Sequence, residues 1–292
     1  MSRLLLALLV AVPAYAADDE PGALSGVTPI YDVAYLGPDR AEKMDLYVPE
    51  TAGETDRYPV VLIIHGGGWT GGDKRAARER NIAGNLVPRG YVCASVNYAL
   101  AEPGKPTWPG NLHDCKTAVR FLRANSDKYK IDPSRVGVIG GSAGGHLALL
   151  VGVTGPTDKL DPPGAGDCRV QAVVDLYGPT DLSKVGWDLA MIPAKKAERP
   201  DLYQQASPVR YLSKDDPPIL ILHGTADTDV ELSQSQHLAD ALKAQRMPHQ
   251  LVVVKDAPHS FHLQPAQQDL RPIVFEFFDR LLKPEVTTQK TK

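Results

Sequence analysis

The sequence predicts an α/β fold: a mostly parallel sheet of about eight strands, helices on both faces, and one small irregular insert. Three observations predict it. Short β-branched apolar runs alternate with helical patterns along most of the chain. Several runs, such as Val60-Val61-Leu62-Ile63-Ile64 and Ile219-Leu220-Ile221-Leu222, are almost continuously apolar, as strands covered on both faces are. A glycine-rich turn at 140–145 joins one such run directly to a helical stretch. Strands separated by helices form βαβ units with parallel neighbours.

Taken in order, Met1-Ser2-Arg3 is a short positive start, Leu4 to Val12 is apolar, and Ala14-Tyr15-Ala16 has a small–x–small pattern. This reads as a secretory signal peptide, residues 1–16, which predicts a secreted or periplasmic mature protein. The apolar run is about half of the roughly 20 residues that a spanning helix needs, so no stable membrane insertion is expected. The remainder, 17–292, reads as one catalytic domain, with 17–28 and 284–292 loose. The predicted strands are Ile30–Leu36, Lys43–Val48, Val60–His65, Tyr91–Asn97, Arg135–Gly140, Val170–Leu176, Ile219–His223 and Gln250–Lys255. Leu112, Cys115, Val119 and Leu122 share a helical face; Leu147–Val151 continue the glycine turn as a helix. Leu232, Leu238 and Leu242 mark another helix, and Ile273, Phe277 and Leu281 a last one. Between about 181 and 216 there is no periodicity, and Pro193, Pro200 and Pro208 interrupt the chain, so this stretch reads as a cap-like insert.

The formal net charge is −3, with both signs scattered. No basic patch points to nucleic acid. Cys93, Cys115 and Cys168 allow one disulfide and one free thiol in an oxidising compartment, and the pairing is open; their spacing fits no metal site. Oligomeric state is not legible.

The chemistry is concentrated in Gly140-Gly141-Ser142-Ala143-Gly144, a G-x-S-x-G between an apolar strand and a helix. A turn that tight strains the serine and requires small neighbours, and it presents Ser142 Oγ at the carboxyl edge of the sheet beside a helix N-terminus. Ser142 is the candidate nucleophile. A serine that attacks a carbonyl needs N–H donors aimed at the developing oxyanion. His65-Gly66-Gly67-Gly68-Trp69 follows a strand and supplies backbone bare of side chains, so the N–H groups of Gly67, Gly68 and Ala143 are assigned to an oxyanion hole. A phosphate-cradling loop would need Gly-Lys-Ser/Thr, which Gly72-Asp73-Lys74-Arg75 does not supply. His65 is expected to fix the loop by hydrogen bonds.

The nucleophile needs a base oriented by a carboxylate, and where a G-x-S-x-G elbow of this fold carries the serine the chain order is Ser, Asp/Glu, His. Asp227 lies just past the strand at 219–223, with Asp229 and Asp256 as competitors; His259 lies past the strand at 250–255, with His262 second. Trp69, Tyr98, Trp187 and Met191 are candidates for the lining of a substrate pocket. No cofactor or metal is expected.

Taken together, these motifs resemble the α/β-hydrolase esterases related to hormone-sensitive lipase, and among them the bifunctional feruloyl and acetyl-xylan esterases (BD-FAE-like). The resemblance rests on His65–Lys74, Asn97-Tyr98, Ile131–Arg135 leading into Gly140–His146, Ala206-Ser207-Pro208, His223–Asp227 and Pro258–Phe261. It implies an α/β-hydrolase fold and secreted, cofactor-free hydrolysis of short-acyl or aromatic esters, free or attached to plant-cell-wall polysaccharide. Two rival readings share the fold: a prolyl-oligopeptidase-type peptidase, disfavoured by the lack of a propeller-length N-terminal region, and a non-catalytic binding module, which would usually lack a triad member.

Overall fold

A computed structural model describes residues 24–283. The predicted signal peptide and the C-terminal tail from 284 lie outside the described residues. Eight strands form one sheet: β1 (Val27–Val33), β2 (Met44–Pro49), β3 (Tyr58–Ile64), β4 (Val92–Val96), β5 (Ile131–Gly141), β6 (Ala172–Leu176), β7 (Ile219–Gly224) and β8 (His249–Val254). Their spatial order is β1-β2-β4-β3-β5-β6-β7-β8. β1–β2 and β2–β4 pair antiparallel, and every later pair is parallel. The helices are α1 (Ala77–Leu86), α2 (Gly110–Ala124), α3 (Ala143–Val153), α4 (Pro200–Gln205), α5 (Leu232–Ala244) and α6 (Arg271–Leu282). This is the α/β-hydrolase architecture.

Strand pleating explains the continuous apolar runs. Val60, Leu62 and Ile64 of β3 enter one core with residues of α2, α3 and α5, while Val61 and Ile63 enter the opposite core with residues of α1 and α6. Alternate side chains point to opposite faces, so a strand covered twice must be apolar at every position. Each such side chain contributes about 1.5–3 kcal/mol by leaving water. The edge strand β8 departs from this reading. Leu251-Val252-Val253 are incompletely covered, and Val253 is 42% exposed.

Other boundaries shift for local reasons. β1 starts at Val27, inside the stretch expected to be loose, because it pairs with β2 from Pro49 onward. β5 starts at Ile131, where the chain pairs with Tyr58 ahead of a register shift. On α6 the buried face is Val274, Phe277, Phe278 and Leu282, displaced by one residue from Ile273 and Leu281. Helix α1 has no counterpart among the elements expected from sequence. Its segment, Ala-Arg-Glu-Arg-Asn-Ile-Ala-Gly-Asn-Leu, is polar, lacks a side-chain cap and offers a narrow buried face. No disulfide links the cysteines among the described residues; all three are buried free thiols. Cys93 lies in the core on the α1/α6 face and Cys115 in the core on the other, so the sheet separates them.

The insert at 181–216 holds one short helix, α4, opened by Pro200 at its first turn. It is not a detached cap. Leu182, Leu189, Met191, Ile192, Tyr203 and Ala206 join the core over α2 and α3. Met191 O accepts from Thr107 N at 3.0 Å and Trp108 N at 2.9 Å. His146, fully buried on α3, donates from Nε2 to Ala206 O at 2.7 Å and accepts on Nδ1 from Trp69 Nε1–H at 3.3 Å. One neutral imidazole thus ties helix, insert and the glycine loop together.

Burial pushes the His146 pKa down to about 4 from the ordinary value of 6.5. The unfolded chain therefore binds a proton that the folded chain refuses between those values, so stability is full above pH 6.5 and falls as pH drops toward 4. Urea unfolding at pH 7 and pH 4 should show the wild type losing about 3 kcal/mol more than His146→Gln over this interval. Equal losses in the two proteins would remove His146 from the acid sensitivity.

Candidate active site

Because β3, β5, β6, β7 and β8 run parallel, the loops after them open at one edge of the sheet. Each candidate comes from one of these loops, except Tyr98, which follows β4. Ser142 follows β5 directly, at the N-cap of α3, with φ 57° and ψ −123°, a positive-φ conformation that costs about 1–3 kcal/mol for a non-glycine residue. Its N–H is held by Leu176 O at 2.8 Å, and its own carbonyl accepts from His146 N at 3.0 Å. The flanking glycines are required sterically. A Cβ on Gly140 would strike the Gly144 and Ile64 carbonyls, and one on Gly144 would strike those of Ile64 and His65.

The structure brings Ser142, Asp227 and His259 together. The Ser142 hydroxyl donates to His259 Nε2 at 2.9 Å, and His259 Nδ1–H donates to Asp227 Oδ2 at 2.7 Å. The Asp227 side chain has no solvent exposure, and that of His259 has 11%. Burial pushes the Asp227 carboxyl up. Hydrogen bonds from His223, His259 and the Val230 N–H outweigh it and hold the group well below the usual carboxylate range. Asp227 Oδ1 accepts from Asp229 N at 3.0 Å and Val230 N at 2.8 Å. The competing Asp229 thus contributes its amide to the turn while its side chain stays outside the chain of bonds. Asp256, the second competing carboxylate, is exposed and donates its N–H to Thr225 Oγ1 at 2.8 Å. His262 is half-buried on the Arg78 side, its pKa lowered by burial and by that guanidinium.

Opposite Ser142, the loop after β3 carries positive φ at Gly67 (113°), Gly68 (60°) and Trp69 (60°). The Gly67 carbonyl accepts from Thr70 N at 3.1 Å and Gly71 N at 3.0 Å, whereas the N–H groups of Gly67 and Gly68 have no acceptor among the described residues. Ala143 N–H stands at the open N-terminus of α3. A Cβ on Gly66 would lie 2.8 Å from Gly141 O and 3.3 Å from Ser142 Cβ, so bare backbone is what lets the loop approach the elbow.

The loop is braced from behind. His65 Nδ1–H donates to Gly66 O at 2.7 Å, in the structural role expected of it. Tyr98 stacks on that ring at 4.4 Å and donates to His65 O at 2.9 Å. Asn97 Oδ1 accepts from Lys74 N at 2.6 Å; buried Lys74 meets Asp32 at 2.8 Å, and Arg75 meets fully buried Asp45 at 2.5 Å. These contacts give three of the residues expected to line the pocket a bracing role. Trp69 (5% exposed), Tyr98 (1%) and Met191 (0%) are core residues that support the loop and the insert. Trp187, the fourth, is 56% exposed on the insert.

Four supporting residues went unrecognised in the sequence. His146 and His223 stand inside the motifs with no role assigned to them. Tyr177 sets its ring edge-on to His259 at 4.8 Å and donates to Phe261 O at 2.7 Å, which fixes the histidine loop. Arg78, paired with buried Glu79 at 2.5 Å, fills the space beside Gly141. A polar residue inside an apolar strand was the available signal for His223. Tyr177 and Arg78 gave none. Among the described residues, no group of His, Cys, Asp and Glu could hold a metal, and no helix is long and apolar enough to cross a membrane.

The BD-FAE family model matches residues 44–242. The Mycobacterium tuberculosis protein described as "Probable carboxylic ester hydrolase LipM" is 31% identical over 79% of this chain and 55% of its own length. The chain spans about half the length of the curated relatives it matches. A truncated carbohydrate esterase from gut microbiota superposes with a TM-score of 0.81 at 28% identity, covering 90% of this chain and 99% of that one. Butyrate-bound esterase 2 of Thermogutta terrifontis shares the fold, with a TM-score of 0.71 at 23% identity over 90% and 98% of the two chains. With its match to more than half of the residues, the chain belongs to the BD-FAE family.

Proposed function

We propose that the protein is a serine carboxylesterase that works through an acyl-enzyme. The observation that carries this reading is His259, which bridges Ser142 Oγ at 2.9 Å and Asp227 Oδ2 at 2.7 Å. Ser142 Oγ attacks the ester carbonyl as His259 Nε2 takes its proton. Asp227 keeps the imidazole in the Nδ1–H tautomer and stabilises the imidazolium. The N–H groups of Gly67, Gly68 and Ala143 receive the carbonyl oxygen as it becomes negative. His259 then returns the proton to the departing alcohol. Water, activated by the same histidine, attacks the acyl group and releases the acid.

The substrate reading is an acetyl or feruloyl ester, including esters on plant-cell-wall polysaccharide. Membership of the BD-FAE family and likeness to a carbohydrate esterase support it. The apolar N-terminal run with its small–x–small site supports export to a secreted or periplasmic location.

Ser142→Ala should lower kcat on p-nitrophenyl acetate by at least about a thousand-fold, read against the wild type under saturating substrate. Retained turnover in that variant would reject the mechanism. His259→Ala should lose more activity than His262→Ala; the reverse order would move the base role to His262. On a panel of p-nitrophenyl acetate to octanoate, methyl ferulate, acetylated xylan and peptide p-nitroanilides, the short-acyl and feruloyl esters should be cleaved and the anilides left intact. Faster anilide cleavage would make the protein a peptidase.

A further inference from the structure

We propose that His223 and Ser235 form a second buried hydrogen-bond relay behind Asp227, and that His223 is the positioning residue that sets the carboxylate for His259. This rests on the triad reading above.

His223 is the one polar residue before Gly224 in the apolar strand β7, and it has no solvent exposure. A buried imidazole is costly unless both nitrogens are bonded. Here both are. Nε2 lies 2.8 Å from Val230 O and 3.2 Å from Asp227 Oδ2, two acceptors that require the proton to sit on Nε2. Nδ1 is then the acceptor, and the fully buried hydroxyl of Ser235, in the first turns of α5, donates to it at 2.7 Å. The Val230 carbonyl thus fixes the tautomer of His223, and the Ser235 hydroxyl satisfies the nitrogen left without a proton.

The consequence falls on both oxygens of Asp227. Oδ2 receives the His259 Nδ1–H at 2.7 Å, and His223 Nε2, whose N–H is directed at Val230 O, lies 3.2 Å from the same oxygen. Oδ1 receives the amides of Asp229 and Val230, and the turn that presents them is tied down by its Val230 carbonyl on His223. One side chain therefore lies against Oδ2 and, through the Val230 carbonyl, fixes the turn that bonds Oδ1. Other titratable groups face the cluster: Asp175 on β6 acts on His223, and Tyr177 packs on His259 and acts on Asp227. The Asp175 Oδ2 has no hydrogen-bond partner among the described residues, and burial pushes this carboxyl up to about 7.

The sign of the effect follows from charge. A carboxylate deprived of one N–H donor presents more negative charge to His259 and holds its proton more firmly. The acidic limb of kcat/KM, which reports the loss of that proton, should then move to higher pH.

The test uses the full chain, with active sites counted by a fluorophosphonate probe and pH profiles measured on p-nitrophenyl acetate. His223→Leu should lower kcat per labelled site about ten- to a hundred-fold, the range for outer hydrogen-bond partners of a site histidine, with KM within about two-fold. Its acidic limb should move up by at least about half a pH unit. Ser235→Ala should move the limb the same way by less, and it decides the matter if His223→Leu does not fold. His223→Gln keeps an N–H for Asp227 and an acceptor for Ser235, so it should return the limb toward wild type. An unmoved limb in the variants overturns the proposal even where the rate falls, because packing alone would lower the rate. A glutamine variant no better than leucine overturns it as well. A wild type that takes up no probe overturns the triad reading and this proposal with it, whereas a labelled wild type with unshifted variants overturns this proposal alone.

Discussion

The site depends on how closely two stretches of backbone approach one another. The end of β3 and the turn after β5 come together so tightly that a Cβ on Gly144 would strike the carbonyls of Ile64 and His65. Parallel pairing sets the register: Ile64 faces Gly140 at the last rung of the β3–β5 ladder. From that rung one chain turns into the glycine loop and the other into α3. Amide donors and the Ser142 hydroxyl therefore meet because the strands are in register and no side chain holds them apart. The strain at Ser142, with φ 57°, is sustained by two central strands buried on both faces and by the core packed over them.

The rest of the site is restraint applied to three loops. The glycine loop is held by Tyr98, Asn97 and the charged group of Lys74, Arg75, Asp32 and Asp45. The histidine loop is held by Tyr177 through the Phe261 carbonyl. The acid turn is held by hydrogen bonds to both oxygens of Asp227 and by the bond from His223 to the Val230 carbonyl. A buried carboxylate stays ionised only when such donors compensate the water it has lost. His146 joins the elbow helix to the insert, so the insert is continuous with the core over α2 and α3.

Much of this was legible in the sequence, and the failures share a cause. Central strands between two helical layers declare themselves because every position must be apolar, whereas exposed β1 and incompletely covered β8 are legible only as short β-branched runs. The glycine and serine motifs were legible because close approach and a strained turn admit few residues. Chain order then pointed to Asp227 and His259, which the structure sets in one hydrogen-bonded line with Ser142. What was illegible depends on tertiary neighbours. α1 is polar because its first turns carry Arg78 and Glu79 to the underside of the elbow. Trp69 and Tyr98 stand beside the motifs, yet their rings turn inward onto His146 and His65. Cys93 and Cys115 lie on opposite faces of a sheet that sequence spacing does not reveal.

The central claim is that Ser142 attacks a carbonyl whose oxygen moves into the amides of Gly67, Gly68 and Ala143. A crystal structure of the protein after reaction with a phosphonate ester tests it most directly, since the phosphoryl oxygen of the adduct occupies the place of the oxyanion. The account predicts a covalent bond to Ser142 Oγ and a phosphoryl oxygen within about 3.1 Å of those N–H groups. An adduct on another residue, or one on Ser142 whose phosphoryl oxygen points away from all three amides, would contradict it.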